Sequence, residues 1–206
     1  MSGKMEKVQQ IAKVQKTGKK IRRPDARVVR TLDSLGNALV ALMHEKPFDS
    51  ITVQEVLDRA AIGRSTFYAH FRDKDDLFLN EIEQFFSLVS TMLSRRHDTS
   101  NRVAPVTELF SHIADVRQFY AALVASGKIH DVMELAQGCF ARGIEQRLIE
   151  LGRTRGLDAS HRAALANSFA GALLSMLSWW INHHMQPSPA EMDKLYHQMV
   201  WAGVGA

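Results

Sequence analysis

Residues 50–77 read SITVQEVLDRAAIGRSTFYAHFRDKDDL, and the signals in this stretch decide the fold. Thr52 followed by Glu55 forms a capping box: the threonine hydroxyl accepts from the Glu55 amide, and the glutamate carboxylate accepts from the Thr52 amide. Ile51 and Val56 stand where a hydrophobic staple closes over such a start. The spacing predicts a short helix from Val53, with Val56, Leu57 and Ala60 on its buried face and an end near Ala61. Gly63 offers the positive φ of a tight turn, which other L-residues resist by about 1–2 kcal/mol. A second short helix is expected over 64–71, after which Asp73 caps a third.

A helical wheel decides which side chains of the second helix can meet a ligand. With Arg64 at zero and 100° per residue, Phe67 and Phe71 fall at about 300° and 340° and must face the core. Ser65, Ala69 and Thr66 fall at about 100°, 140° and 200°, so the opposite face carries only small side chains and can enter a groove closely. Arg64, Tyr68 and His70 flank that strip, where donors meet phosphates while the centre approaches base edges. Two short helices joined by a tight turn are the helix-turn-helix arrangement, whose second helix reads the major groove. An ordinary helical hairpin within an all-helical core fits the same geometry.

The rest of the chain also reads as helix. Val28, Leu32, Leu35, Leu39 and Leu42 lay one stripe along a helix that Pro47 ends, with Gly36 inside it at a cost of about 1 kcal/mol relative to Ala. Further helices are expected over 75–97, 106–125 with a break, 131–152, 159–184 and 189–203, and no period-two strand pattern interrupts them. The fold class is all-α, in three regions: a basic arm over 1–24, a helix-turn-helix domain over 25–75, and a helical regulatory and dimerisation domain over 76–206.

Charge is divided unevenly. The net charge is +4, yet residues 1–30 carry ten Lys or Arg against Glu6 and Asp25, which leaves the remainder at −4. A cationic arm on a mildly acidic body is drawn to a polyanion, or is a solvated tail. If it grips DNA, deleting residues 1–23 weakens binding and makes the salt dependence shallower by roughly 0.9 per lost phosphate contact. The sequence has no secretory signal and no membrane span, so the expected location is the cytoplasm. Its single cysteine, Cys139, cannot form an internal disulfide and reads as a small buried residue.

From Val28 to Ile82 the sequence resembles the DNA-binding domain of the tetracycline-repressor (TetR) family, through TVQEVLDRAAIG, RSTFYAHF and DKDDL. The resemblance implies that Thr52, Tyr68, His70 and Lys74 hold the phosphate backbone. It also implies that the turn and the third family helix approach bases, which places Gly63, Arg64, Ser65, Thr66 and Ala69 on that side. With only small groups at the centre, part of the sequence preference comes from DNA shape. The partners expected are a pseudo-palindromic double-stranded DNA operator, a second copy of the chain and a small-molecule effector that releases a repressor. A DNA-associated factor of the same fold, controlled by a protein partner, is the alternative.

The closing segment GALLSMLSWWINHHMQPSPAEMDKLYHQM resembles the last two helices of the family, which pair with their symmetry mates. Ala170, Leu174, Leu177, Trp180, Leu195 and Met199 are the dimer residues expected there, the alternative being that both helices are central to the monomer, and Ser188, Pro189 and Glu191 start the final helix. Phe85, Phe86, Met92, His112, Phe119, Tyr120, Met133 and Phe140 are the effector-pocket candidates, although such residues at helical spacing also build plain core. No nucleophile elbow, phosphate loop, dinucleotide fingerprint or zinc-protease motif occurs, so neither an enzyme nor a cofactor is expected. His183 and His184 diverge by about 100° on a helix and do not suit one metal ion.

Overall fold

The computed structural model describes residues 26–125 and 127–204, apart from the side chains of Gln118, Phe119, Ala122, Ala125 and Val204. The basic arm, residues 1–24, and the Phe119 side chain lie outside the described residues. Packing divides the chain into two units, residues 1–33 and residues 34–206. Of the first unit, the described part is the opening of the first helix.

Every regular element among the described residues is helical. In order they are α1 (Ala26–Glu45), a 3-10 turn (Phe48–Ser50), α2 (Val53–Ala60), α3 (Arg64–Tyr68), α4 (Lys74–Ser90), α5 (Met92–Arg95), α6 (Val106–Asp115), α7 (Arg117–Ala125), α8 (Ile129–Glu150), α9 (Ala159–Asn182) and α10 (Pro189–Val204). The expected stripe of α1 is buried at Leu35, Leu39 and Leu42. At Gly36 a Cβ would meet the Glu81 carboxylate of α4, the end of a flexible side chain that would swing aside to make room. Gly143 of α8 has a packing reason, since a Cβ would run into the Ser90 backbone carbonyl and force α4 and α8 apart.

Where one helix was expected over 75–97, the chain breaks at Thr91. Its hydroxyl donates to the Ser87 carbonyl at 2.7 Å and its amide turns to the Val89 carbonyl, so the α-helical ladder stops. Another feature had no sequence signal. Arg147, 5% exposed, donates to the carbonyls of Arg102 (2.9 Å), Asp98 (2.6 Å) and Ser100 (2.8 Å) and thereby ties the 98–102 loop to α8.

Helix α9 is long and apolar enough, by length and composition, to cross a membrane, but here it is a core helix packed on α8. This corrects the expected dimer set. Ala170 (0%), Leu174 (6%), Leu177 (2%) and Trp180 (1%) are buried within the chain, and Trp180 donates from Nε1 to the Pro187 carbonyl at 2.6 Å. A helix apolar on several sides has found those sides' partners within its own protomer. Leu195 (53%) and Met199 (43%) are exposed, as is Trp179 (47%), which the earlier set omitted. The capping box at Ser188 and Glu191 forms as read, with the Ser188 amide 2.8 Å from the carboxylate and the Glu191 amide 3.4 Å from the hydroxyl.

Candidate nucleic-acid interface

Both halves of the capping box are present at the start of α2: the Glu55 amide donates to Thr52 Oγ1 at 3.3 Å and the Thr52 amide donates to Glu55 Oε2 at 2.9 Å. The Glu55 carboxylate also receives the Lys46 ammonium, and the two Thr52 groups add to that bond; together they lower its pKa from 4.5 to about 2. Ile51 and Val56 are both buried, as a staple requires. Arg59 grips Glu45 with two bonds of 2.6 and 2.9 Å, which ties α2 to the end of α1.

The turn differs from expectation. Ala61 carries the left-handed conformation (φ 54), whereas Gly63 is extended (φ −72) and serves as the N-cap of α3. The chain must reverse where α2 ends, so the positive φ falls on the helix C-cap, and the residue before α3 needs only an ordinary extended backbone. Among the described residues Gly63 has no neighbour within 4 Å of a hypothetical Cβ, so none of them demands glycine there.

Helix α3 ends at Tyr68, three residues earlier than expected, because residues 69 and 70 form a turn that brings Phe71 inward. Phe67 (0%) and Phe71 (7%) pack with ring centroids 5.8 Å apart. The opposite strip of Ser65, Thr66 and Ala69 is exposed, and so are Arg64, Tyr68 (52%) and His70. Thr52 and Gly63 are exposed at the approach to the same helix. The wheel thus placed the inward and outward sides of α3 as they stand.

Lys74 is half-buried at the first position of α4. Its ammonium donates to the carbonyls of Phe48 (2.8 Å), Asp49 (3.1 Å) and Ile51 (2.8 Å) and sits 4.6 Å from the centre of the Phe48 ring. All three donors are engaged with the segment that leads into α2, so the lysine fixes α4 to the helix-turn-helix. Asp73 caps α4 as expected, accepting from the Asp76 amide at 2.8 Å. The sequence reading missed Gln54, whose exposed side chain bonds both Arg64 and Asp58. Its bond to Arg64 spans ten positions across a turn, a separation that no helical periodicity marks.

Of the seven expected pocket residues with described side chains, three are buried and four half-buried. Phe86 (5%), Met92 (8%) and Phe140 (0%) are buried, with the Phe86 and Phe140 rings 5.9 Å apart. Phe85 lies against His112 at 4.5 Å, and burial lowers the pKa of that imidazole against a smaller opposing pull from Asp115. Tyr120 and Met133 are half-buried. A cleft of about 570 Å³ opens elsewhere, between α4 and α8, lined by Asp76, Leu79, Asn80, Glu83, Asp131, Glu134, Leu135, Gly138 and Arg142. None of the seven expected residues whose side chains are described lines it.

Comparison with known proteins agrees with this geometry at both ends of the chain. Residues 37–80 match the family model for bacterial regulatory proteins of the tetR family, and residues 104–201 match one for a transcriptional regulator C-terminal region. The chain belongs to the tetR family. It is a DNA-binding regulator of transcription, and its family's members are regulators, not enzymes. The regulator is 23% identical over 155 residues to the negative transcriptional regulator IcaR of the biofilm operon icaADBC in Staphylococcus epidermidis, covering 72% of this chain and 80% of that one. Its fold resembles that of a TetR transcriptional regulator from Streptococcus agalactiae, with TM-score 0.53, 22% identity, 84% of this chain and 95% of the other covered. It also resembles RolR, solved in complex with resorcinol, with TM-score 0.56, 20% identity and coverage of 87% and 90%.

Proposed function

We propose that the regulator is a cytoplasmic repressor that binds a pseudo-palindromic operator as a homodimer and is released by a small-molecule effector. The observation that carries the DNA reading is α3, whose outward strip of Ser65, Thr66 and Ala69 is exposed while Phe67 is wholly buried beneath it. A slim strip with Arg64 at its leading end fits a major groove, with Tyr68 and His70 beside it at the phosphates. A two-fold pair of such helices doubles the contacts without a second full entropic cost, and the exposed apolar Trp179, Leu195 and Met199 of α9 and α10 supply a surface for pairing. IcaR is a negative regulator, which supports repression, and RolR holds a small ligand, which supports an effector.

The α4/α8 cleft is the seat we assign to the effector. Helix α4 starts at the helix-turn-helix, so an occupant that shifts α4 against α8 alters how the reading heads meet their half-sites. A coupling of about 1–3 kcal/mol suffices. A gel-shift titration on the regulator's own promoter DNA at fixed salt tests the reading. Wild type binds, and Thr66→Glu, which sets a carboxylate facing phosphates, reduces binding at least tenfold with unchanged thermal stability. Equal binding by Thr66→Glu overturns it.

A further inference from the structure

On the reading that α3 enters the major groove, we infer that Asp58 and Gln54 form a positioning relay that holds Arg64 for a guanine edge. The geometry is a chain of two bonds over the exposed face of α2 and α3. Gln54 Nε2 donates to Asp58 Oδ1 at 2.7 Å, and Arg64 Nη2 donates to Gln54 Oε1 at 2.7 Å. Gln54 and Asp58 stand one turn apart on α2, and Arg64 is the first residue of α3.

The direction of the relay follows from donor chemistry. An ionised carboxylate only accepts, so Asp58 forces the NH₂ end of the Gln54 amide toward itself. The carbonyl end is thereby left facing Arg64, which can only donate. The amide cannot flip without losing both bonds at once. A neutral glutamine between the two charges also leaves the Arg64 cation without a direct carboxylate partner in this relay. One of its five N–H groups serves Gln54, and the remaining four exceed the two that a bidentate contact with guanine O6 and N7 requires.

The first position of a recognition helix is where side chains reach base edges. A long arginine on its own would spread over many rotamers, and holding it costs conformational entropy at the moment of binding. The relay meets that cost in the free protein. Gln54 and Asp58 therefore act on sequence preference through Arg64, and neither needs to touch the DNA.

The test uses the full chain and a randomised duplex library at fixed salt, from which wild type selects its preferred site. Single base-pair variants of that site are then titrated with wild type, Arg64→Ala, Gln54→Ala and Asp58→Asn. Wild type discriminates against replacement of one G·C pair per half-site by about 5- to 150-fold. Arg64→Ala abolishes that discrimination. Gln54→Ala and Asp58→Asn reduce it at the same pair by at least about threefold, with melting temperature and the salt slope on non-specific duplex unchanged. The relay is overturned if Gln54→Ala leaves the pair's discrimination intact, if it acts on a different pair, or if the salt slope falls by about 0.9 per half-site, which marks a lost phosphate contact. Enrichment of no sequence by wild type would overturn the operator reading and the relay together, whereas the other outcomes strike the relay alone.

Discussion

Helices α3 and α9 both present apolar residues at helical spacing, yet the pattern fixed the buried side of one and not what covers the other. In α3 and the turn after it the apolar residues Phe67 and Phe71 fall on one side, so only one orientation buries them, and Ser65, Thr66 and Ala69 are left outside. Helix α9 is apolar on several sides, and each side can be covered by the same chain or by a second copy. Ala170, Leu174, Leu177 and Trp180 took the first option, which leaves Trp179 with Leu195 and Met199 of α10 at the surface. Amphipathicity fixes what a helix buries when the apolar arc is narrow. When the arc is broad, the pattern says that burial occurs and not against what.

The sharpest way to break this contrast is at the exposed face. Leu195→Asp combined with Met199→Asp leaves the protomer folded and makes it monomeric in sedimentation experiments. With the two reading heads no longer linked, operator affinity falls by about 10²–10⁴-fold. A dimer that survives both substitutions would move the pairing surface elsewhere. Next in size are the buried anchors of the two regions. Phe67→Ala and Trp180→Ala each lower unfolding free energy by about 3–5 kcal/mol in denaturant titrations. If Trp180→Ala instead shifted only the dimer equilibrium and left the protomer's stability unchanged, the expectation that Trp180 faces a second copy would return.

Smaller effects belong to the turn. Thr52→Ala removes one half of the capping box and destabilises by about 0.5–2 kcal/mol. Ala61→Gly relieves a left-handed residue and stabilises by up to about 1 kcal/mol, while Gly63→Ala changes stability little because its backbone is extended and the space around it is open.

These positions also show how far the sequence carries. Caps and staples are local chemistry, spelled out within four residues, and Thr52, Glu55, Asp73, Ser188 and Glu191 bond as read. The all-helical fold followed from the same local signals. What stayed hidden lies across turns or between distant helices: the Gln54 link to Arg64, the three carbonyls around Lys74, and the Arg147 clasp on the 98–102 loop. The described pocket candidates lie away from the cleft for a related reason. Aromatic and methionine side chains fill interiors first, and the open space between α4 and α8 is lined by two leucines and a glycine among four carboxylates, Asn80 and Arg142.

Each region contains one carboxyl held far below its ordinary range, and acid should separate the two. In the helix-turn-helix, the hydrogen bond from Lys46 followed by those from Thr52 takes Glu55 from 4.5 to about 2. In the body, burial pushes Asp193 upward, but the His197 ring, the Arg102 charge and the Thr107 amide outweigh it and take the group from 3.8 to about 2. Both folded-state values lie below the unfolded ones, so both groups stabilise the fold at higher pH and lose that contribution as pH falls toward about 2. The Glu55 window opens first, below 4.5, and its effect is the smaller because its side chain is 41% exposed and salt screens the pair. Trp179, Trp180 and Trp201 all lie in the body, so tryptophan fluorescence follows the body's carboxyls, Asp193 among them, while circular dichroism follows both regions. Glu55→Gln should flatten the upper part of the acid limb in circular dichroism and leave the fluorescence transition in place, and Asp193→Asn should move the fluorescence. If Glu55→Gln shifted the fluorescence equally, the two regions would unfold as one and the contrast between them would be confined to the folded state.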